Sequence, residues 1–162
     1  VVLQNAKEFT PSEILQRVNN SVYQDAKVSE VFATLSIIII DRTNRSIRYT
    51  GAGDLPILYK NSVTGEVKLI QSNGLLLGFA AEGNYKDVSI KLQKNDSIFM
   101  LTDGIFESRN TAGEAFGSQR LVQILSDLKE NIDPIEKIKT EFSLFTNNKF
   151  EDDISLILIK AD

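Results

Sequence analysis

The chain contains no cysteine and no histidine. Without cysteine there is no disulfide framework, no thiolate zinc site and no cysteine nucleophile. Without histidine there is no imidazole metal ligand and no Ser-His triad, and the commonest general base is missing. Any chemistry must therefore run on carboxylates, hydroxyls, amides, lysine or arginine. Basic charge is also scarce: 18 Lys and Arg stand against 22 Asp and Glu, a net charge of −4. That balance offers nothing to neutralise a phosphate backbone, so no nucleic-acid partner is expected. Apolar runs such as Ile37-Ile38-Ile39-Ile40 fall far short of the roughly 20 residues that cross a bilayer, so no membrane span is expected. No charged N-terminal region leads into an apolar stretch, so no signal peptide is visible and a cytoplasmic location is expected. Repeats, low-complexity tracts and Pro/Gly/Ser linkers are missing as well.

What is present is an ordinary globular composition, 42% hydrophobic and 25% charged over 162 residues. That is one domain's worth of chain, able to bury roughly two-thirds of its unfolded surface. The first helix is signalled at Thr10-Pro11-Ser12-Glu13, with an N-cap Thr, Pro at the first helical position and Glu at the third. Ile14, Leu15, Val18 and Val22 then fall on one helical face. Upstream, residues 1–7 read as the tail of another helix. Their apolar start predicts a chain that begins in the middle of a domain.

The middle reads as a β-meander. Residues 32–41 are rich in β-branched side chains, 42–45 turn, and 46–50 run back. Residues 55–60 and 66–71 pair around a turn at 61–65. Val88-Ser89-Ile90-Lys91-Leu92 alternates, as a strand with one wet face should. Ser97-Ile98-Phe99-Met100-Leu101 suits a central buried strand. Leu121, Ile124, Leu125 and Leu128 keep helical spacing. Asp133-Pro134-Ile135-Glu136 caps a further helix whose stripe is Ile135, Ile138, Phe142 and Phe145. Residues 154–159 form a last strand. Helix, antiparallel strands, two helices and a strand make an α+β fold, with helices packed on sheet.

Three segments place an Asp at a strand edge: Gly51-Ala52-Gly53-Asp54, Thr102-Asp103-Gly104 and Glu151-Asp152-Asp153. Carboxylates meeting at strand ends make an oxygen-rich site for a hard cation such as Mg²⁺ or Mn²⁺, the only metal chemistry left without His or Cys. Each segment also has a plainer reading. Asp-Gly after a strand is usually a turn, an acidic pair beside a strand is usually a solvated gatekeeper, and Gly-Ala-Gly-Asp reads as a loop. On spacing alone the plainer readings are favoured.

From Phe32 onward the chain resembles the metal-dependent type-2C (PPM) protein Ser/Thr phosphatases, in particular the bacterial SpoIIE/RsbU branch. The match is carried by Phe32-Ala33-Thr34-Leu35, Tyr49-Thr50-Gly51-Ala52-Gly53-Asp54-Leu55-Pro56 and Gly74-Leu75-Leu76-Leu77-Gly78. It continues through Asn95-Asp96-Ser97-Ile98-Phe99-Met100-Leu101-Thr102-Asp103-Gly104-Ile105-Phe106-Glu107, Phe116-Gly117 and Asp152-Asp153-Ile154-Ser155-Leu156. Singly these are weak, but in register over about 125 residues they are specific. The helix after Thr10 sits where that family has its second helix.

The resemblance implies a type-2C-phosphatase-like α-β-β-α sandwich of antiparallel sheets flanked by helices, with metal ions between the sheets. It implies hydrolysis of phosphoserine or phosphothreonine by a metal-activated water, without a phosphoenzyme. Mn²⁺ or Mg²⁺ is the implied cofactor. Asp103 resembles the metal ligand of the family's Thr-Asp-Gly, with Gly104 beside it as a cofactor-contacting backbone. Asp152 resembles the ligand in its paired-Asp motif, with Asp153 as second choice. Asp54 departs from the SpoIIE branch, which usually has His or Asn there, and matches a Gly-Asp of the eukaryotic branch whose Asp ligates an additional metal. The implied partner is a phosphorylated regulatory protein, typically a STAS-type anti-sigma-factor antagonist.

The family's opening acidic motifs have no counterpart here. Residues 1–162 are expected to be the C-terminal portion of a single phosphatase domain. About the first third would be missing, including the carboxylate that bridges two metals and that no other group easily replaces, so a complete binuclear centre is not expected of this polypeptide alone. Strand edges left open would favour a homodimer. The alternative is a degenerate phosphatase fold that works as a non-catalytic protein-binding module.

Overall fold

Helix α1 (Pro11–Ser29) starts where its local chemistry dictates. Glu13 N donates to the Thr10 hydroxyl at 3.3 Å, and Thr10 N donates to the Glu13 carboxylate at 2.8 Å. This reciprocal box satisfies two N–H groups that the helix cannot, and Pro11 has none to strand. The computed structural model describes residues 9–53, 55–129, 131–150 and 152–162. The helical tail expected at residues 1–7 lies outside them.

The buried face of α1 differs from the expected stripe. Pro11, Leu15, Asn19 and Ala26 are buried, while Val22 is 38% exposed. Asn19 holds a core position because its amide is fully employed. Its Oδ1 accepts from Gly78 N at 2.8 Å, and its Nδ2 donates to the Ala80 and Ala81 carbonyls at 2.9 and 3.0 Å. Gln16 donates to the Ala81 carbonyl and accepts from Gly83 N. These side chains tie residues 72–87, which contain no strand, to the helix. Gly78 meets that surface at φ +83°, where an added Cβ would lie 2.3 Å from the Ala26 Cβ. Only glycine suits such a position.

The chain divides into two compact units and passes between them three times. The first contains residues up to Leu55 together with Gln71–Leu92. Its sheet has β1 (Leu35–Asp41), β2 (Ser46–Ala52) and β5 (Val88–Lys91) in the order β1-β2-β5, antiparallel throughout. The Asp41 carboxylate shapes the first hairpin by accepting from Asn44 N and Nδ2. Leu15, Ala52 and Leu77 form the buried cluster under α1, joined by Val18, Leu35, Ile37 and Tyr85.

The second unit contains Pro56–Ile70 and Gln93–Asp162. Strands β3 (Ile57–Lys60), β4 (Val67–Ile70), β6 (Ser97–Leu101) and β7 (Leu156–Lys160) run antiparallel in the order β4-β3-β6-β7. The apolar β6 is therefore interior, as its composition predicts. Helices α2 (Asp103–Glu107), α3 (Gly117–Ser126) and α4 (Pro134–Thr146) complete the unit. Asp133 caps α4, accepting from Ile135 N and Glu136 N. Leu58, Phe99, Leu101, Ile105, Phe116, Leu121, Leu125, Ile138 and Phe142 make one core. Phe116 meets Phe142 and Phe145 edge to face, both at 5.2 Å. Leu128 falls past the end of α3, and α2 was not expected from the sequence. In each unit helices pack on an antiparallel sheet, so the α+β expectation holds.

One buried carboxylate joins two turns of this unit. Asp96, fully buried just before β6, accepts from Tyr59 Oη at 2.7 Å and from Ser62 N and Gln93 N, both at 2.8 Å.

Candidate metal centre

The antiparallel register of β6 and β7 sets Leu101 opposite Leu156. Residues leaving β6 therefore lie beside residues entering β7, although about fifty positions separate them in sequence. This brings the Thr102-Asp103-Gly104 and Asp152-Asp153 segments together.

Thr102 fastens the junction. Its backbone N–H donates to the Ser155 carbonyl at 3.2 Å. Its hydroxyl donates to the Asp153 carbonyl at 3.1 Å and accepts from Ser155 N at 3.0 Å. Thr102 occupies the N-cap position of α2 yet makes no side-chain cap bond, because its hydroxyl is committed across the junction. Gly104 permits the close approach. A Cβ there would lie 2.5 Å from the Asp153 carbonyl oxygen and 3.4 Å from the Asp152 Cβ.

Asp103 is half-buried at the first turn of α2, and Asp152 and Asp153 are exposed. One Asp103 oxygen accepts from Gly104 N at 3.0 Å, and one Asp152 oxygen accepts from Asp153 N at 2.7 Å. In each carboxylate the second oxygen makes no hydrogen bond within the described residues. Asp153 contributes its carbonyl to Thr102 rather than its side chain. Asp54 lies outside the described residues. Among those described, no group of three or more acidic side chains converges to hold a metal. Asp103 and Asp152 thus fit a hard divalent cation in donor chemistry, as part of a ligand set rather than the whole of one.

A cleft of about 600 Å³ opens here, lined by Gly104, Phe106, Glu107, Ser108, Arg109, Ala115 and Asp152. Sequence reasoning identified Gly104 and Asp152 in this lining and missed Arg109 and the cross-strand role of Thr102. The only signal for Thr102 was its place between a buried strand and an Asp-Gly.

The family model described as Stage II sporulation protein E (SpoIIE) matches residues 3–162. The chain belongs to the SpoIIE family. It is 26% identical over 154 residues to phosphoserine phosphatase RsbU of Bacillus subtilis, covering 93% of this chain and 45% of RsbU. It spans between 17% and 45% of the length of the curated relatives it matches. Its fold is that of the SiaA-PP2C domain of Pseudomonas aeruginosa, with TM-score 0.81 at 17% identity over 99% of this chain and 64% of that one. The phosphatase domain of SpoIIE from Bacillus subtilis, solved after presoaking with Mn, matches with TM-score 0.67 at 21% identity over 99% and 70% of the two chains. The type-2C phosphatase fold expected from the motifs is thereby established. SpoIIE membership also explains why residues 102–104 and 152–155, remote in sequence, are recognisable together.

Gly104 offers a direct structural test. Gly104→Ala is expected to lower stability by about 1–3 kcal/mol, the usual cost of forcing atoms into a filled space. Urea denaturation checks this. A variant as stable as the parent would mean that the two segments are not held in contact.

Proposed function

We propose that residues 1–162 belong to one phosphatase domain that hydrolyses phosphoserine or phosphothreonine on a cytoplasmic regulatory protein, with a STAS-type anti-sigma-factor antagonist as substrate. The observation that carries this reading is the Thr102 junction, which sets the Asp103 and Asp152 segments side by side at the mouth of a polar cleft.

Asp103 and Asp152 would hold a Mn²⁺ or Mg²⁺ ion through their oxygens. When bound, such an ion supplies a water activated for attack on phosphorus and neutralises developing charge. Thr102 keeps the two carboxylate-bearing segments in register by bonding the backbone on both sides of Ile154, at the Asp153 carbonyl and the Ser155 N–H. The helical backbone that follows fixes Asp103, and Gly104 lets the Asp153 carbonyl sit close without a side chain between them. Positioning of this kind is worth orders of magnitude in rate, since small displacements of reacting groups are costly.

The experiment is Mn²⁺-dependent phosphate release from a phosphorylated STAS protein by the full-length gene product. Release that depends on the metal supports the reading. Binding of the phosphoprotein without release would assign the non-catalytic module instead.

A further inference from the structure

The segment after α2 is a tight hairpin that already satisfies itself. Asn110 N donates to the Glu114 carbonyl, Gly113 N to the Asn110 carbonyl, and Phe116 N to the Ser108 carbonyl. The Asn110 Oδ1 accepts from Ala112 N and Glu114 N. Arg109 enters this hairpin through a backbone bridge to Ala115, and among the described residues its side chain makes one hydrogen bond, Nη1 to the Gly113 carbonyl at 2.6 Å. A guanidinium has five N–H donors, so the described residues use only part of its capacity. No carboxylate lies within ion-pair distance of it among the described residues. Arg120 behaves differently, lying over the Phe145 ring at 4.5 Å. Arg109 instead lines the cleft that holds Gly104 and Asp152.

We propose that Arg109 is a substrate-binding residue whose guanidinium contacts the phosphoryl oxygens of the phosphoserine or phosphothreonine. This rests on the phosphatase reading given above. The charged side chains of the cleft are Asp152, Glu107 and Arg109. Two of the three repel a phosphoryl group, so among the described lining residues the attracting charge is that of Arg109. Its planar fork matches two phosphate oxygens at once, a geometry that lysine cannot reproduce. The hairpin's own bonds fix the root of the side chain, so little ordering remains to be done on binding. The cleft volume lies within the range of ordinary ligand sites.

The test compares the full-length protein with Arg109→Gln and Arg109→Lys. Four quantities are measured: KM for the phosphoprotein, the inhibition constant of inorganic phosphate, the dissociation constant of Mn²⁺ by electron paramagnetic resonance, and the melting midpoint. Arg109→Gln is expected to raise KM and the phosphate inhibition constant at least about ten-fold each, as loss of a charged hydrogen bond does. Mn²⁺ binding and melting should stay at parental values, and Arg109→Lys should recover part of the loss. Unchanged KM and phosphate inhibition overturn the proposal. A rise in KM without weaker phosphate inhibition also overturns it, since Arg109 would then touch the substrate protein rather than its phosphate. A fall in melting midpoint that tracks KM makes Arg109 a strut of the hairpin. If the parent itself releases no phosphate with Mn²⁺, the phosphatase reading fails and takes the proposal with it. If the parent turns over and Arg109→Gln matches it, only the proposal fails.

Discussion

In the full-length protein, Asp103→Asn should reduce Mn²⁺-dependent phosphate release by at least about 100-fold, more than the loss of a group that merely orients a ligand. The substitution preserves volume and keeps an oxygen that can accept from Gly104 N, the bond observed at 3.0 Å. What it removes is negative charge and the strong oxygen donor that a hard cation requires. Far-ultraviolet circular dichroism and melting should be indistinguishable from the parent. Normal activity in this variant would withdraw Asp103 from the metal site and the phosphatase assignment of the junction with it.

Asp96→Ala should lower stability by about 3–5 kcal/mol, because it removes a fully buried carboxylate that accepts from two backbone N–H groups and a tyrosine hydroxyl at part-buried positions. The same carboxylate gives the protein an acid-sensitive stability. Burial alone would raise its pKa, but the hydrogen bonds from Ser62 N, Gln93 N and Tyr59 Oη outweigh that and hold it below the usual value of 3.8. A group with a depressed folded pKa contributes stability that is complete above its unfolded pKa and is lost as pH falls through the folded one. Urea denaturation at pH 7 and near pH 3 checks both points. The parent should lose stability on acidification, and Asp96→Ala should lose less. Equal acid sensitivity in the two would show that Asp96 is not the group responsible.

The parts of the fold legible in the sequence are those whose causes are local. Thr10 and Asp133 cap helices through bonds to residues two or three positions away. Their neighbours Pro11 and Pro134 reinforce the same signal. The β6 strand was readable because four of its five residues are apolar. Asn19 was not readable. A polar residue on a helix ordinarily marks the wet face, and its acceptors and donor lie 59 to 62 positions away. Val22, which shares the expected helical face with Leu15, is 38% exposed. Helix α2 was hidden because five residues are too few to show a period, and Asp-Gly reads as a turn. At the site, Asp103 and Asp152 were flagged by their motifs. The tie through Thr102 could be seen only once the pairing of β6 with β7 was known. Arg109 carried no signal, since only the fold brings it to the cleft that Gly104 and Asp152 line.

The threefold passage of the chain between its two units sets a constraint on synthesis at the ribosome. Strand β3 leaves the exit tunnel long before β6, the neighbour on its inner side, and β7 emerges last. At about 5–20 residues per second, the β3–β4 hairpin waits several seconds with one edge unpaired. The first unit is likewise unfinished until Gln71–Leu92 has been made. Neither unit corresponds to a continuous stretch of message, so no single cut in the gene yields either one whole. Exchange of modules by recombination would have to move both together.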